Sequence, residues 1–150
     1  EEINRVLTDQ VADRLYTTER SALSNLAREG VASERVVFAG NVMIDSLLHN
    51  RRHARPVIQT LMAGGARPEA AAAFDRFGLV TLHRPSNVDA AETLKGLFEV
   101  LREVALRLPL VFALHPRTRA NIERFGLDAL VDPQRMLLLP PQGYLEMLGL

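Results

Sequence analysis

The chain has 150 residues, 47% hydrophobic and 24% charged, which is enough for a globular fold with a real core, and no apolar run reaches the ~18 residues of a membrane span. Its 18 Lys and Arg balance 18 Asp and Glu, so no net field draws it to nucleic acid or to an anionic membrane, and neither is expected as a partner. There is no cysteine, which excludes disulfide frameworks, thiolate metal sites and Cys nucleophiles; with no signal-peptide pattern, a cytoplasmic setting is the expectation.

Strand and helix patterns alternate along the chain, which predicts an α/β fold with a largely parallel sheet. Ile3 to Ala12 has helical spacing, with Ile3, Val6, Leu7 and Val11 on one face. Arg14 to Thr18 reads as a short strand. Thr18 is then placed to cap a helix over 19–29, with Ala22, Leu23, Leu26 and Ala27 as its apolar stripe and Gly30 closing it. Arg35 to Ala39 is a second β-rich run. It ends at Gly40, and Asn41 is suited to cap the helix that holds Val42, Met43, Ile44, Leu47 and Leu48.

From Asn50 to Phe77 the periodicity weakens. Clustered Arg51, Arg52, His53 and Arg55, then Gly64-Gly65 and an Ala-rich stretch over 70–73, suggest an interdomain connection leading into a first helix. The pattern then resumes after Gly78. A strand over 79–82 precedes a helix over 90–107 with Leu94, Leu97, Leu101, Val104 and Leu108 on its apolar face. A strand over 110–114, a helix over 118–125 and a strand over 135–139 follow. Pro140-Pro141 stops that last strand, and another helix opens at Tyr144. A first residue that is not Met and a helix cut short near Leu150 lead us to expect a piece of a longer protein.

Two segments carry chemistry. In Leu79-Val80-Thr81-Leu82-His83-Arg84-Pro85-Ser86-Asn87-Val88-Asp89, an apolar strand breaks into a basic, polar turn ahead of a helix. Leu110-Val111-Phe112-Ala113-Leu114-His115-Pro116-Arg117-Thr118-Arg119 repeats that arrangement one β-α unit later. Open α/β sheets bind ligands outside the carboxyl ends of their strands, beside the next helix N-terminus. Imidazole and guanidinium delivered there from two neighbouring strands fit an anion, most simply a phosphate or diphosphate. The same residues also fit a plainer role, with each His bonded to a backbone carbonyl and each Arg solvated. The pair Glu1-Glu2 fits either a carboxylate acting as acid or base or a helix start that complements the dipole. His49 and His53 have a metal-compatible spacing but no carboxylate to complete a set, so no metal is expected. The sequence holds no GxGxxG, GxxxxGK[ST] or GxSxG.

In chain order, Glu1-Glu2-Ile3-Asn4-Arg5, Thr18-Glu19-Arg20-Ser21-Ala22, Asn25-Leu26, Glu29-Gly30, Gly40-Asn41-Val42-Met43-Ile44-Asp45, Thr81 to Asp89, His115-Pro116-Arg117-Thr118 and Pro141-Gln142-Gly143-Tyr144-Leu145 closely resemble the bacterial and archaeal non-hydrolysing UDP-N-acetylglucosamine 2-epimerases. The resemblance implies a GT-B-like fold: two Rossmann-like domains, each a parallel sheet flanked by helices, with the nucleotide sugar between them and the fold incomplete in this chain. Residues 1–40 then correspond to the end of the first domain and the hinge. Residues 41–150 correspond to a connecting helix and the first half of the second, nucleotide-binding domain.

The implied reaction interconverts UDP-N-acetylglucosamine and UDP-N-acetylmannosamine without a cofactor, by elimination of UDP to a 2-acetamidoglucal and re-addition. Glu1 matches a family catalytic carboxylate and His83 the active-site histidine. Arg84 and His115 match positions that in some relatives contact a second, regulatory UDP-sugar, and Asn87 and Arg117 belong to the same motifs as substrate-binding residues. Where many relatives read His-Arg-Arg-Glu-Asn, this chain has His83-Arg84-Pro85-Ser86-Asn87. The resemblance further implies a UDP-sugar substrate, a homodimer in the full-length protein, a place in cell-surface polysaccharide biosynthesis, and no activity in the 150 residues alone. A hydrolysing 2-epimerase, a GT-B glycosyltransferase and a non-catalytic nucleotide-sugar-binding domain remain alternatives at this point.

Overall fold

The computed structural model describes residues 2–68, 71 and 74–150, and the chain alternates between helices and parallel strands. Its contacts divide it into two units, one ending at Arg52 and the other running from His53 to Leu150. Glu1 and most of the Ala-rich stretch (Ala70, Ala72 and Ala73) lie outside the described residues.

The first unit comprises α1 (Glu2–Val11), β1 (Leu15–Thr17), α2 (Arg20–Arg28), β2 (Val36–Phe38) and α3 (Val42–Asn50). The two strands pair in parallel, with Leu15 opposite Val36 and Thr17 opposite Phe38. Helix α2 starts later than its sequence suggests. Glu19, extended at φ −125°, is the N-cap and makes no side-chain cap bond, which leaves Thr18 one residue too early to reach the free amides of the first turn. Its other end is a Schellman turn. The Val31 N–H donates to the Leu26 carbonyl (3.0 Å) and the Gly30 N–H to the Ala27 carbonyl (3.2 Å), with Gly30 at φ +81°. That turn brings Val31 onto Leu26, and with Leu15 they form the buried cluster of this unit. Asn41 caps α3 as its sequence suggests, its Oδ1 accepting from the Met43 N–H at 3.0 Å.

The apolar faces of α1 and α3 are open. Neither helix has a buried residue, and Ile3, Leu7, Val11, Val42, Met43 and Leu48 are all exposed. Charge holds α1 in place instead. The Arg5 guanidinium reaches Glu2 (2.7 Å), Asp9 (2.6 Å) and Glu29 at the end of α2 (2.6 Å). It holds the carboxyls of Glu2 and Glu29 below their ordinary range, chiefly by hydrogen bonding, and these carboxylates raise its own pKa in return. Arg35 donates to the carbonyls of Asp9, Gln10 and Ala12, satisfying acceptors that the C-terminus of α1 leaves unpaired.

The second unit contains α4 (Val57–Ala63), β3 (Gly78–Val80), α5 (Pro85–Val88), α6 (Ala91–Ala105), β4 (Leu110–Ala113), α7 (Pro116–Arg124), β5 (Met136–Leu139) and α8 (Tyr144–Gly149). Its strands run parallel in the order β3-β4-β5, with Gly78, Leu110 and Met136 in one row and Val80, Phe112 and Leu138 in another. Alternation along β4 and β5 sends side chains to two cores. Leu110, Phe112 and Met136 join Leu94, Phe98, Ala105 and Ile122 on the face covered by α6 and α7. Val111 and Leu139 join Leu61, Ala71 and Phe74 on the other. A parallel sheet covered on both faces is the expected consequence of helical crossovers.

Three sequence expectations are corrected here. The region after His53 is not merely a connection, because Leu61 and Phe74 close the second face of the sheet; its pattern is faint because the four-residue spacing of Val57 and Leu61 is soon broken at Gly64-Gly65. The helix expected over 90–107 is α6, but the turn before it is not wholly irregular: Pro85, with its fixed φ, starts the short α5. Of the expected stripe of α6, Leu94 is buried and Leu101 packs against the core, but Val104 is exposed and Phe98 and Ala105 are buried in its place, because the helix turns a slightly rotated face to the sheet. At the other end of the unit, α8 sits close against the backbone of Arg55. The Arg55 N–H donates to the Leu145 carbonyl at 3.0 Å, its Nε lies 2.8 Å from Glu146, and a Cβ on Gly149 would stand 1.9 Å from the Arg55 carbonyl oxygen. Only glycine fits there.

Candidate functional site

The carboxyl ends of β3, β4 and β5 open onto one edge of the second unit's sheet, where the chain turns towards α5, α7 and α8. His83 follows β3 and His115 follows β4, so parallel pairing brings them side by side, with ring centroids 6.5 Å apart and planes inclined at 43°. Both rings line a cavity of about 190 Å³ whose walls include Thr81, Pro116, Pro141 and Gln142.

His115 is also the N-cap of α7. Its Nδ1 accepts the Arg117 backbone N–H at 3.3 Å. An imidazole that accepts at Nδ1 carries its proton, when neutral, on Nε2, so the other ring edge is a donor. Pro116 occupies the first turn of α7, where its missing N–H costs nothing. Arg84 is the N-cap of α5 and is exposed. The Asn87 N–H donates to the Arg84 carbonyl at 2.9 Å, and the Asn87 side chain is half-buried within the same turn. Among the described residues, no carboxylate forms a salt bridge with Arg84. The edge therefore presents two imidazoles beside the exposed Arg84, residue types that suit a phosphate-like anion.

The guanidinium of Arg117 points elsewhere. Its Nε and Nη2 donate to the two carboxylate oxygens of Asp89 at 2.7 and 2.6 Å. Of the residues picked out in the sequence, His83, Arg84, Asn87 and His115 thus share one strand-end edge, Arg117 joins it through its backbone N–H, and Glu1 lies outside the described residues. Sequence reasoning missed Gln142, which reaches the cavity wall after β5 and donates from Nε2 to the Pro140 carbonyl at 2.6 Å. The strand-end rule that selects His83 and His115 applies to it equally, but an uncharged side chain between Pro141 and Gly143 carries no chemical signal of its own. Among the described residues no group of three or more His, Asp or Glu is placed to hold a metal, and no helix is long and apolar enough to cross a membrane.

Known proteins resemble this chain along its whole length. The family model described as UDP-N-acetylglucosamine 2-epimerase matches residues 1–150. The UDP-2,3-diacetamido-2,3-dideoxy-D-glucuronate 2-epimerase of Pseudomonas aeruginosa is 40% identical over 153 residues, covering 100% of this chain and 39% of that protein. The UDP-N-acetylglucosamine 2-epimerase of Methanocaldococcus jannaschii is 34% identical over 160 residues, covering 100% of this chain and 41% of that protein. The crystal structure of the Methanocaldococcus jannaschii enzyme in complex with UDP-GlcNAc and UDP superposes with a TM-score of 0.76 at 33% identity, over 98% of this chain and 40% of that one. The chain thus spans about two-fifths of the length of the relatives it matches. Its parallel sheets flanked by helices are part of a GT-B-type, Rossmann-like architecture.

Proposed function

The chain belongs to the UDP-N-acetylglucosamine 2-epimerase family, and from that premise we propose that the whole protein inverts C2 of UDP-N-acetylglucosamine to give UDP-N-acetylmannosamine. The observation that carries the reading is the pair of histidines on one cavity wall, delivered by adjacent parallel strands in a chain matched from end to end.

In the proposed reaction a carboxylate base removes the C2 proton, the C1–O bond breaks, and UDP leaves with the bonding electrons, leaving a 2-acetamidoglucal. A phosphate oxygen of UDP then re-adds at C1 while C2 is protonated on its other face. Electrons and atoms balance within the substrate, so no external cofactor enters. We assign Glu1 as one acid–base carboxylate and His83 as the group that stabilises the departing diphosphate, where negative charge grows fastest. Arg84, Asn87 and His115 bind the same anion, His115 through its Nε2–H, and Arg117 supports it through the backbone N–H that fixes that tautomer. The residues up to Gly40 form the end of the first Rossmann-like domain and the hinge, and the remainder opens the second. The family resemblance further leads us to propose that the working protein is a cytoplasmic homodimer whose product feeds cell-surface polysaccharide.

Incubation of the whole protein with UDP-N-acetylglucosamine in heavy water tests the reaction. Deuterium at C2 with the UDP linkage retained is expected. Free sugar would make the protein a hydrolysing relative, and no exchange would make it a binding protein. The 40% identity to the Pseudomonas aeruginosa enzyme favours one further arm, in which that enzyme's diacetamido-glucuronate nucleotide is offered in parallel. Replacing His83 by Ala should lower turnover by roughly 10²–10⁴-fold with little change in melting temperature. Near wild-type turnover in a destabilised variant would reduce His83 to a structural hydrogen bond.

A further inference from the structure

We propose that Asp89 and Arg117 form a latch that sets the spacing of His83 and His115, which makes them positioning residues for the anion site. The proposal rests on the functional reading above, since it explains how that site is held in shape.

Three side chains on one face of α7 reach back to the segment that carries His83, Arg84 and Asn87. Thr118 donates from Oγ1 to the Leu82 carbonyl, immediately before His83. Asn121 donates from Nδ2 to the Val88 carbonyl at 2.9 Å, at the end of α5. Arg117 grips the Asp89 carboxylate in a two-pronged fork, with Nε 2.7 Å and Nη2 2.6 Å from its oxygens, and Asn121 Nδ2 lies 3.5 Å from Asp89 Oδ1. The turn bearing His83 is thus tied at both ends to the helix that His115 caps. A displacement of one end moves one ring relative to the other.

The three ties differ in kind. Thr118 is fully buried and its tie belongs to the packing of the fold. The Arg117–Asp89 fork is half open to water, with side-chain exposures of 51% and 39%. Exposed ion pairs add little to stability. A planar guanidinium on a carboxylate is nonetheless directional, since two parallel hydrogen bonds fix distance and angle together. The fork therefore does more for the geometry of the edge than for the survival of the fold. It also gives Arg117 a role other than direct contact with the ligand, because the two donors that face along the fork are engaged with Asp89.

The test uses Asp89→Asn, Arg117→Gln and the double variant in the whole protein. Asp89→Asn weakens the fork at nearly constant volume, Arg117→Gln removes the guanidinium, and both leave the Arg117 backbone N–H in place. A misplacement of about 1 Å at a reacting centre can cost ~10²-fold, so each single variant should lose roughly 10- to 100-fold in kcat, with KM changed less than about threefold and the melting temperature nearly unmoved. The double variant should be no slower than either single one, the mark of a shared interaction. An impaired Arg117→Gln beside a fully active Asp89→Asn would overturn the proposal in favour of direct ligand contact, and wild-type kcat in both would overturn it outright. If the whole protein fails to turn over UDP-N-acetylglucosamine, the functional reading fails separately. The ring proton resonances of His83 and His115 then decide on the latch: Asp89→Asn must shift both, and unchanged resonances refute it.

Discussion

The two units of this chain use the same local ingredients and reach different degrees of completion. Both pair parallel strands through helical crossovers, and both carry amphipathic helices. In the first, two strands and a buried cluster of Leu15, Leu26 and Val31 leave α1 and α3 with no buried side chain. In the second, β4 and β5 are covered on both faces, only Leu79 of edge strand β3 stands exposed, and Leu94, Phe98, Val111, Phe112, Ile122 and Leu139 are completely excluded from solvent. A helical stripe is therefore a statement about what a helix can bury, while the sheet decides what it does bury. Where apolar cover is thin, ionic and backbone-capping contacts from Arg5 and Arg35 hold α1. The edge proposed to bind an anion sits on the more fully covered sheet, which suits a site whose donors must hold their positions while charge develops.

This contrast can be broken by experiment. The largest effect is expected from Phe112→Ala in the whole protein. Phe112 is fully buried with its ring centroid 5.9 Å from that of Phe98, and truncating a ring of this kind costs about 3–5 kcal/mol. Denaturant unfolding should show that loss, and amide exchange should accelerate throughout β3, β4 and β5. A change under ~1 kcal/mol would mean that the second core is far looser than its burial implies.

Leu26→Ala should cost less, about 2 kcal/mol, because the small cluster around it can partly collapse. Exchange should quicken in α2, β1 and β2 and stay unchanged in β3–β5. Equal acceleration in both units would show that they unfold as one, and the contrast drawn above would fall.

The smallest effect belongs to Arg5→Met. With Arg5 present, the carboxyls of Glu2 and Glu29 titrate below their ordinary value of 4.5. A depressed carboxyl favours the folded form at a pH above its unfolded value, and this contribution disappears as pH falls through the lowered folded value. Protection of α1 and α2 amides in the wild-type protein should therefore begin to fade below about pH 4.5, before that of β3–β5. In Arg5→Met, carboxyl NMR titrations should return both Glu residues towards 4.5, and the acid step in α1 and α2 should vanish. Unchanged titrations would show that Arg5 is not the group that depresses them.

Much of the order of elements is written locally. The apolar runs at Val36–Phe38, Leu110–Ala113 and Met136–Leu139 are strands, Asn41 and Gly30 act where their side-chain and backbone chemistry places them, and the two His-Arg turns stand at strand ends. These features depend on φ/ψ preferences and period, which a short stretch of sequence contains. Other features were settled only by long-range packing. Phe98 and Ala105, not Val104, face the core because the sheet determines which side of α6 is covered. Residues after His53 became a layer of the core because Val111 and Leu139 needed a partner on the second face. Arg117 looks in the sequence like one more cation for the ligand, yet its guanidinium is engaged by Asp89, which is 28 residues away in the chain and adjacent in space. The chemistry available at the edge was thus determined by the sequence alone. Which donors face the cavity and which brace them was decided by the parallel register of β3 and β4, since only that pairing carries α7 alongside the turn that holds His83.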